Sequence, residues 1–204
     1  MPPSTRPRGR PREFEEDEVL DRVLQLFWEK GYEATALADI VEASGLNKSS
    51  LYNAFGSKDR LYALALDRYL ELRQSVITDV LTDGQHGLDD LRNFLDLVRA
   101  ETDAEVGRLG CLAVNTGTEF GSTDPDMVEA STRFRDTMRT ALRATLRRAA
   151  AAGEIEAGTV ERDVAVLLAF MLSLSVIARS GASPEEIDAQ FQGIEAQIDA
   201  WRFA

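Results

Sequence analysis

Cysteine, histidine and long apolar runs are scarce in this sequence of 204 residues. One cysteine, Cys111, excludes an intrachain disulfide, and with one histidine, His86, a zinc site is not expected. The longest apolar run, 164–178, is interrupted by serines and falls short of the roughly 20 residues that cross a bilayer. A secretory signal requires an apolar stretch after its basic residues, and no such stretch follows the N-terminal arginines. We therefore expect a cytoplasmic protein that has no membrane partner and needs no cofactor, with His86 exposed in a glycine-flanked turn.

The net charge of −12 at first argues against a nucleic-acid partner, but the charge is unevenly distributed. Residues 1–60 carry 9 basic and 11 acidic side chains, whereas residues 61–204 carry 14 and 24. Because screening limits charge effects to about 8–10 Å, phosphate groups respond to the charge near them. The acidity therefore does not exclude DNA binding by the N-terminal part.

Hydrophobic residues recur at helical spacing along nearly the whole chain, which predicts an all-α fold of about nine helices. Helix starts are indicated by capping residues at Thr35, Asn47, Ser57, Asp124 and Ser183. We predict three parts, with a connecting fourth helix from residue 57: a flexible basic arm at 1–12, a helix-turn-helix DNA-binding domain at 13–60, and a regulatory and dimerisation domain at 61–204.

Residues 35–66 have the arrangement of a helix-turn-helix, in which one helix braces across the DNA backbone and the next enters the major groove. A resemblance to the TetR family of bacterial repressors covers residues 14–70. The residues that carry it are 35–40, Ser44-Gly45-Leu46, 48–52, Phe55, and Ser57-Lys58 followed by Leu61. The alternative is a small helical subdomain that packs without touching DNA.

The third predicted helix is expected to bury Leu51 and Phe55 and to expose a polar face for DNA: Lys48, Ser49, Ser50, Tyr52 and Asn53. Asparagine can make paired contacts with adenine, serine hydroxyls can contact several base edges, and lysine suits guanine or phosphate. The resemblance implies that the positions of Thr35, Tyr52 and Lys58 clamp the DNA backbone, and that residues 48–50 approach bases.

The arginine-rich segment PRGRPR precedes the first helix, and its Arg8 and Arg10 resemble the core of an AT-hook. Narrow A·T minor grooves attract arginine through their enhanced negative potential. We therefore predict a minor-groove contact by Arg8 and Arg10. A tail that only promotes solubility is the alternative.

The last predicted helix has a seam of apolar residues at spacings of 4, 3, 4 and 3, which is typical of knobs-into-holes packing. We expect this seam to form a four-helix bundle with a second subunit, as the resemblance also implies. The predicted interface residues are Leu167, Met171, Leu174, Ile187, Phe191, Ile194, Ile198 and Trp201. Packing within one chain is the alternative. A twofold dimer would place two recognition helices about 34–36 Å apart on a near-palindromic operator.

In TetR-like proteins the helices between the DNA-binding domain and the dimer bundle enclose a ligand cavity, which the resemblance implies here. The candidate lining residues are Leu66, Tyr69, Phe94, Leu97, Val98, Leu112, Asn115, Thr116, Glu119, Phe120, Phe134, Met138 and Phe170. Ordinary core packing is the alternative for the apolar ones. The polar ones on the sixth helix need partners, which a ligand could supply.

Cys111 opens the sixth predicted helix, and Gly110-Cys111-Leu112 resembles a segment of electrophile- and oxidant-responsive TetR members. A helix N-terminus lowers the pKa of a thiol, and Arg108 is near in sequence, so a thiol sensor is one hypothesis. A small buried hydrophobe is the alternative.

Arg135, Arg139, Arg143 and Arg147 form a stripe on the seventh predicted helix. An ion-paired or solvated face is the expected role, and an anion-binding wall is the alternative.

These patterns together predict a DNA-binding transcriptional regulator. We expect a repressor that binds a palindromic operator as a homodimer and is released by a small-molecule effector, with activation left open. The alternative is a redox- or electrophile-responsive repressor that senses through Cys111. An enzyme is not indicated, because no nucleophile with a nearby histidine, glycine-rich phosphate loop or metal-ligand pattern is found.

Overall fold

The computed structural model describes residues 16–121 and 123–202, and over those residues it consists of nine α-helices without a β-strand. The helices are α1 (Glu16–Lys30), α2 (Leu37–Ser44), α3 (Lys48–Phe55), α4 (Lys58–Ile77), α5 (Leu88–Asp103), α6 (Leu112–Phe120), α7 (Pro125–Ala151), α8 (Val160–Arg179) and α9 (Pro184–Trp201). A π-helical turn extends α4 over Thr78–Thr82, and short 3-10 turns cover Glu105–Leu109 and Ala157–Thr159. The all-α prediction is confirmed, whereas the predicted arm at 1–12 lies outside the described residues.

Side chains cap the helices at four of the five predicted positions. Asn47 Oδ1 accepts the Ser50 N–H at 2.9 Å, and Ser57 Oγ accepts the Arg60 N–H at 3.2 Å. Equivalent bonds are made by Asp124, which starts α7, and by Ser183, which starts α9. Each cap satisfies backbone donors that the helix itself leaves unpaired.

The predicted cap at Thr35 is wrong. Ala36 occupies the N-cap position of α2, and its N–H donates to Asp39 Oδ2 at 2.8 Å. The Thr35 hydroxyl instead donates to the Gly31 carbonyl at 2.5 Å, and the residue is only 1% exposed. Asp39 satisfies the N–H of the N-cap residue, and the Thr35 hydroxyl bonds back to the residue after α1 instead of capping α2.

The buried side chains form two hydrophobic cores. The N-terminal core joins α1, α2, α3 and the first half of α4 to α6 and the start of α7. The C-terminal core joins the end of α4 to α5, α8, α9 and the rest of α7. In α4, residues from Leu61 to Tyr69 belong to the N-terminal core and Ile77 to the C-terminal one. This helix therefore connects the two parts of the molecule mechanically.

The predicted intersubunit seam on α9 packs within the chain, so that part of the interface prediction is wrong. Phe191 has no exposed surface and its ring lies 5.5 Å from that of Phe170. Two ion pairs, Arg92–Asp199 at 2.8 Å and Arg99–Asp188, hold α5 along α9. The other seam residues are also buried in the C-terminal core: Leu167, Leu174, Ile187, Ile194, Ile198 and Trp201. Periodic spacing shows that a face is covered, but it does not identify what covers it.

Candidate DNA-binding surface and ligand cavity

The recognition helix α3 is held by its apolar face and presents its polar face to solvent. Leu51 and Phe55 are buried in the N-terminal core, as predicted. Gly45 makes the turn from α2 with φ of 68°, a left-handed conformation that favours glycine. Of the five predicted DNA-contacting residues on α3, four are exposed and Ser50 is half-buried; the exposed ones are Lys48, Ser49, Tyr52 and Asn53. The Lys48 Nζ atom lies 5.9 Å from the centre of the Tyr52 ring.

The first turn of α4 brings positive charge next to the helix-turn-helix. Lys58 Nζ lies 4.1 Å from the centre of the Tyr32 ring, and the Tyr32 hydroxyl donates to Asp59. Burial and Asp59 raise the pKa of Tyr32 to about 12. The face of the aromatic ring beneath the ammonium group stabilises its positive charge. The exposed Arg60 is a further candidate for phosphate contact that the sequence analysis missed. The sequence did contain a signal for this role, because Arg60 lies in the first turn of α4, which starts directly after the capping residue Ser57.

Thr35, by contrast, is not available as a backbone clamp. Its hydroxyl and its N–H are bonded to the Gly31 and Tyr32 carbonyls, and its side chain is buried. The resemblance placed Thr35 at the DNA backbone, but the fold uses it to close the turn between α1 and α2.

Helix α6 fastens the DNA-binding helices to the rest of the molecule. The Glu119 carboxylate accepts the backbone N–H groups of Tyr32 at 3.0 Å and Glu33 at 2.8 Å. The Tyr62 hydroxyl bonds to Thr116 Oγ1 at 2.8 Å, and burial raises the pKa of Tyr62 to about 12. These contacts lie between elements far apart in sequence, and they fix α6 against the α1–α2 turn and α4.

A second group of contacts lies at the other end of α6. The Trp28 indole N–H donates to the Gly110 carbonyl at 2.9 Å, and Arg179 Nη1 donates to the Trp28 carbonyl at 2.7 Å. Asn115 Nδ2 donates to the Leu109 carbonyl at 2.9 Å. The polar residues of α6 therefore have protein partners, and their assignment to a ligand cavity is wrong for Asn115, Thr116 and Glu119.

Replacing Glu119 by alanine is expected to loosen the turn between α1 and α2. Each hydrogen bond to a charged acceptor contributes about 1.5–3 kcal/mol, so the amide protons of Tyr32 and Glu33 should exchange about tenfold faster or more. Hydrogen–deuterium exchange with NMR or mass-spectrometric detection measures this. Glu129→Ala, which removes a carboxylate paired with Arg133 on the surface of α7, is the control. Unchanged exchange at both amides would contradict the assignment.

A cavity of about 330 Å³ lies between α4, α5, α6, α7 and α8. Six predicted residues line it: Tyr69, Phe94, Leu97, Val98, Phe134 and Met138. Other lining residues were missed, among them Arg73, Val76, Glu101, Thr102, Arg135, Leu168 and Ser175. Met171, predicted at the dimer interface, also lines this cavity. The size lies at the lower end of the range of small-molecule sites in proteins.

Four apolar residues predicted for the cavity are core residues instead. Phe170 packs against Phe191 in the C-terminal core. The others lie in the N-terminal core, where Phe120 contacts the rings of Tyr32 and Tyr62; they are Leu66, Leu112 and Phe120. Helical spacing could not separate the face that lines the cavity from the face that packs against α1.

Two charged residues in the cavity wall neutralise each other. Both terminal nitrogens of the Arg73 guanidinium donate hydrogen bonds to the Glu101 carboxylate. Its central carbon lies 5.0 Å from the centre of the Tyr69 ring and 5.9 Å from that of Trp28. This ion pair links α4 to α5 beside two aromatic rings of the N-terminal core.

Cys111 also lines the cavity, at the N-cap of α6. Burial raises the pKa of the Cys111 thiol, and the backbone N–H groups of α6 do not reverse that effect. Arg108 is exposed and pairs with Glu105 at 3.7 Å. The expected lowering of the thiol pKa by the helix end and Arg108 is therefore wrong.

The arginine stripe on α7 is ion-paired at three of its four positions, which confirms the expected role there. Arg139 pairs with Asp136, and Glu161 lies 2.8 Å from Arg143 and 3.6 Å from Arg147. Arg135 differs, since it faces the cavity and its bonds go to hydroxyl groups. His86 is exposed, as predicted.

A helix-turn-helix fastened to a helical domain with a small-molecule-sized cavity defines a DNA-binding transcriptional regulator. Residues 19–65 match the family model "Bacterial regulatory proteins, tetR family", and residues 87–193 match "Tetracyclin repressor-like, C-terminal domain". The chain belongs to the TetR family. In residues 16–121 and 123–202 no helix has the length and apolarity that crossing a bilayer requires.

Similar proteins include named repressors and a regulator bound to DNA. The HTH-type transcriptional repressor ComR of Escherichia coli (strain K12) is 30% identical over 182 residues, covering 88% of this chain and 87% of ComR. The HTH-type transcriptional regulator YezE of Bacillus subtilis (strain 168) is 29% identical, and the match covers 88% of this chain and 93% of YezE. A cysteine mutant of the TetR family regulator CifR, complexed with 26 bp double-strand operator DNA, has a similar structure, with a TM-score of 0.80 and 28% sequence identity. The match covers 95% of this chain and 100% of the CifR chain.

Proposed function

We propose that this protein represses transcription as a homodimer bound to a near-palindromic operator, and that a small molecule in the cavity releases it. The carrying observation is that α4 and α6 serve both parts of the molecule. Tyr69 and Arg73 of α4 line the cavity, and the same helix begins at Lys58 beside the recognition helix. The start of α6 lines the cavity through Cys111, and its end binds the α1–α2 turn through Glu119.

Ligand release would follow from this shared construction. A ligand shifts a conformational equilibrium only by as much as it binds one state better than the other. A ligand that moves α4 or α6 on binding would also move the recognition helix, because these helices carry the contacts of Lys58 and Glu119. Two helix-turn-helix units would then no longer match two successive major grooves.

The proposed DNA contacts divide by chemistry. Lys48, Ser49, Ser50 and Asn53 are assigned to bases, and Tyr52 of α3 together with the first turn of α4 is assigned to phosphates. The phosphate set is Tyr52, Lys58 and Arg60. Arg8 and Arg10 of the arm are assigned to the minor groove, and the division at residue 60 into DNA-binding and regulatory domains is kept as part of this proposal.

The proposed dimer interface is the outer face of α8 and α9 rather than the buried seam. Val166 and Val176 are exposed apolar residues on α8, and the positions between them carry Ala169 and Ser173. The exposed side of α9 has a row of small residues: Ala189, Gly193, Ala196 and Ala200. A Cβ atom at Gly193 would meet nothing within 4 Å, so this row is open to a second subunit. We call these eight positions the α8–α9 outer face, and twofold pairing would cover its apolar atoms.

Selection of bound sequences from random double-stranded DNA tests the proposal. We expect an enriched near-palindrome with half-sites separated by about one or more helical turns, bound by two chains per operator as measured by light scattering of the complex. The Lys48→Ala variant, carried through the same selection, should enrich weaker or altered half-sites because a base contact is lost. Enrichment of a non-repeated site bound by one chain would contradict the dimeric mechanism.

A further inference from the structure

Among the residues that the structure describes, three charged side chains line the cavity: Arg73, Glu101 and Arg135. Arg73 and Glu101 form a bidentate ion pair with each other, so together they contribute no net charge to the cavity. Arg135 is therefore the source of uncompensated positive charge in the wall. The cavity has a net preference for an anion before any ligand is considered.

The partners of Arg135 are weak competitors for such an anion. Its Nη1 donates to Ser131 Oγ at 2.8 Å and its Nη2 donates to Thr132 Oγ1 at 2.9 Å. Both acceptors are neutral hydroxyls from the preceding turn of α7, and among the described residues Arg135 forms no ion pair. A guanidinium carries five N–H donors in a planar fork that fits a carboxylate. Within the stripe on α7 only this arginine faces the cavity.

The remainder of the wall is mostly apolar. Phe94, Phe134, Met138 and Met171 supply aromatic and flexible surface that suits a hydrocarbon body. Val76 and Leu97, which also line the cavity, are 39% and 49% exposed. They provide an apolar mouth between α4 and α5 through which such a body can pass.

We infer that the effector is an apolar carboxylic acid whose carboxylate is bound by Arg135. This inference rests on the proposed function, because it assumes that the cavity is the effector site. A cationic effector is disfavoured, since the one carboxylate in the wall, Glu101, is already bound by Arg73.

Arg135 also lies where a ligand could influence α6. A Cβ atom at Gly117 of α6 would lie 2.5 Å from Ser131 Oγ and 3.6 Å from Arg135 Nη1. The glycine thus allows α6 to rest against the hydroxyl and guanidinium groups. A carboxylate that draws Arg135 away from Ser131 changes the surface on which α6 rests, two residues before Glu119.

Three probes with one hydrocarbon chain and different head groups test the inference: octanoate, octan-1-ol and octylamine. We expect octanoate to bind the full-length protein at least about tenfold more tightly than octanol at pH 7 in isothermal titration calorimetry, which corresponds to about 1.4 kcal/mol. Octylamine should bind most weakly. Fluorescence anisotropy of labelled operator measures release in parallel.

Matched variants identify the arginine. Arg135→Gln should reduce the preference for octanoate over octanol to about one and leave octanol binding unchanged, and Arg135→Lys should retain part of the preference because it keeps the charge without the fork. Arg139→Gln, one turn along α7 with its side chain paired to Asp136, should leave the preference intact. Thermal unfolding verifies that the variants are folded.

The outcomes separate this inference from the proposed function. Equal binding of the acid and the alcohol, tighter binding of the amine, a preference that survives Arg135→Gln, or no binding of any probe at millimolar concentration would each overturn the carboxylate assignment. If the alcohol releases the operator as well as the acid does, the effector mechanism stands and the assignment falls. If octanoate binds through Arg135 but leaves the operator bound, the assignment stands and ligand release falls.

Discussion

A Gly193→Arg variant is expected to be a folded monomer that binds the operator at least about 100-fold more weakly than the parent protein. The α8–α9 outer face has room for the new side chain within one chain, because a Cβ atom at this position meets no other atom within 4 Å. In a twofold dimer the same position would bring two guanidinium groups and their bulk against a row of small residues. Loss of the second recognition helix removes the gain from bivalent binding.

Sedimentation equilibrium or light scattering measures the mass of the variant, and anisotropy of labelled operator measures its affinity. Gln85→Arg adds the same charge at an exposed position in the loop after α4 and should change neither quantity. The thermal unfolding temperature of both variants should stay close to that of the parent at concentrations where the parent is monomeric. A Gly193→Arg protein that remains dimeric would show that the interface lies elsewhere.

An Asn53→Asp variant is expected to lose operator binding by about 100-fold or more while keeping its stability. Asn53 is exposed on α3, so exchanging its amide for a carboxylate should change the free energy of unfolding by only about 0.5 kcal/mol. On DNA the change costs more than the contact itself. The amide donor is lost, and a negative charge is placed against base acceptors and phosphates.

Comparison with Asn53→Ala separates these two effects. The alanine variant removes the contact without adding charge and should lose about 1–3 kcal/mol of discrimination at one base pair. Gln85→Glu adds a negative charge away from α3 and should leave affinity unchanged. Retention of operator binding by Asn53→Asp would exclude this face of α3 from the interface.

The sequence predicted the helices well because helix starts are set by local chemistry. Asn47, Ser57, Asp124 and Ser183 each cap a helix by accepting a backbone N–H two or three residues away. The buried and exposed sides of α3 also followed from spacing alone. Thr35 was the exception, since Ala36 takes the N-cap position and the Thr35 hydroxyl donates to the Gly31 carbonyl.

What the sequence could not supply was the identity of distant partners. The polar residues of α6 were expected to need partners, which a ligand could supply, but Thr116 bonds to Tyr62 and Glu119 to the turn after α1. The apolar seam of α9 was expected to need a second chain, but α5 and α8 cover it. In both cases a residue pattern fixed the need for a partner and left its source open.

Arg135 is a further case in which the sequence did not identify the surroundings of a side chain. Four arginines at equal spacing are equivalent in sequence, yet α7 turns one of them toward the cavity and three toward acidic partners. Arg139 pairs with Asp136 on α7 itself, whereas Arg143 and Arg147 share Glu161 of α8. The partner of the last two therefore depends on the packing of α8 against α7, which the spacing of the arginines does not reveal.

The way the two cores meet also bears on building biosensors from this protein. Helices α5 and α8 supply about half of the residues that line the cavity, whereas contact with the DNA-binding helices passes through α4, α6 and the first turns of α7. Residues such as Phe94, Val98 and Met138 therefore form a part that can be varied to accept new compounds. A redesigned sensor must keep the residues that connect the cavity to the DNA-binding helices, namely Trp28, Tyr62 and Glu119.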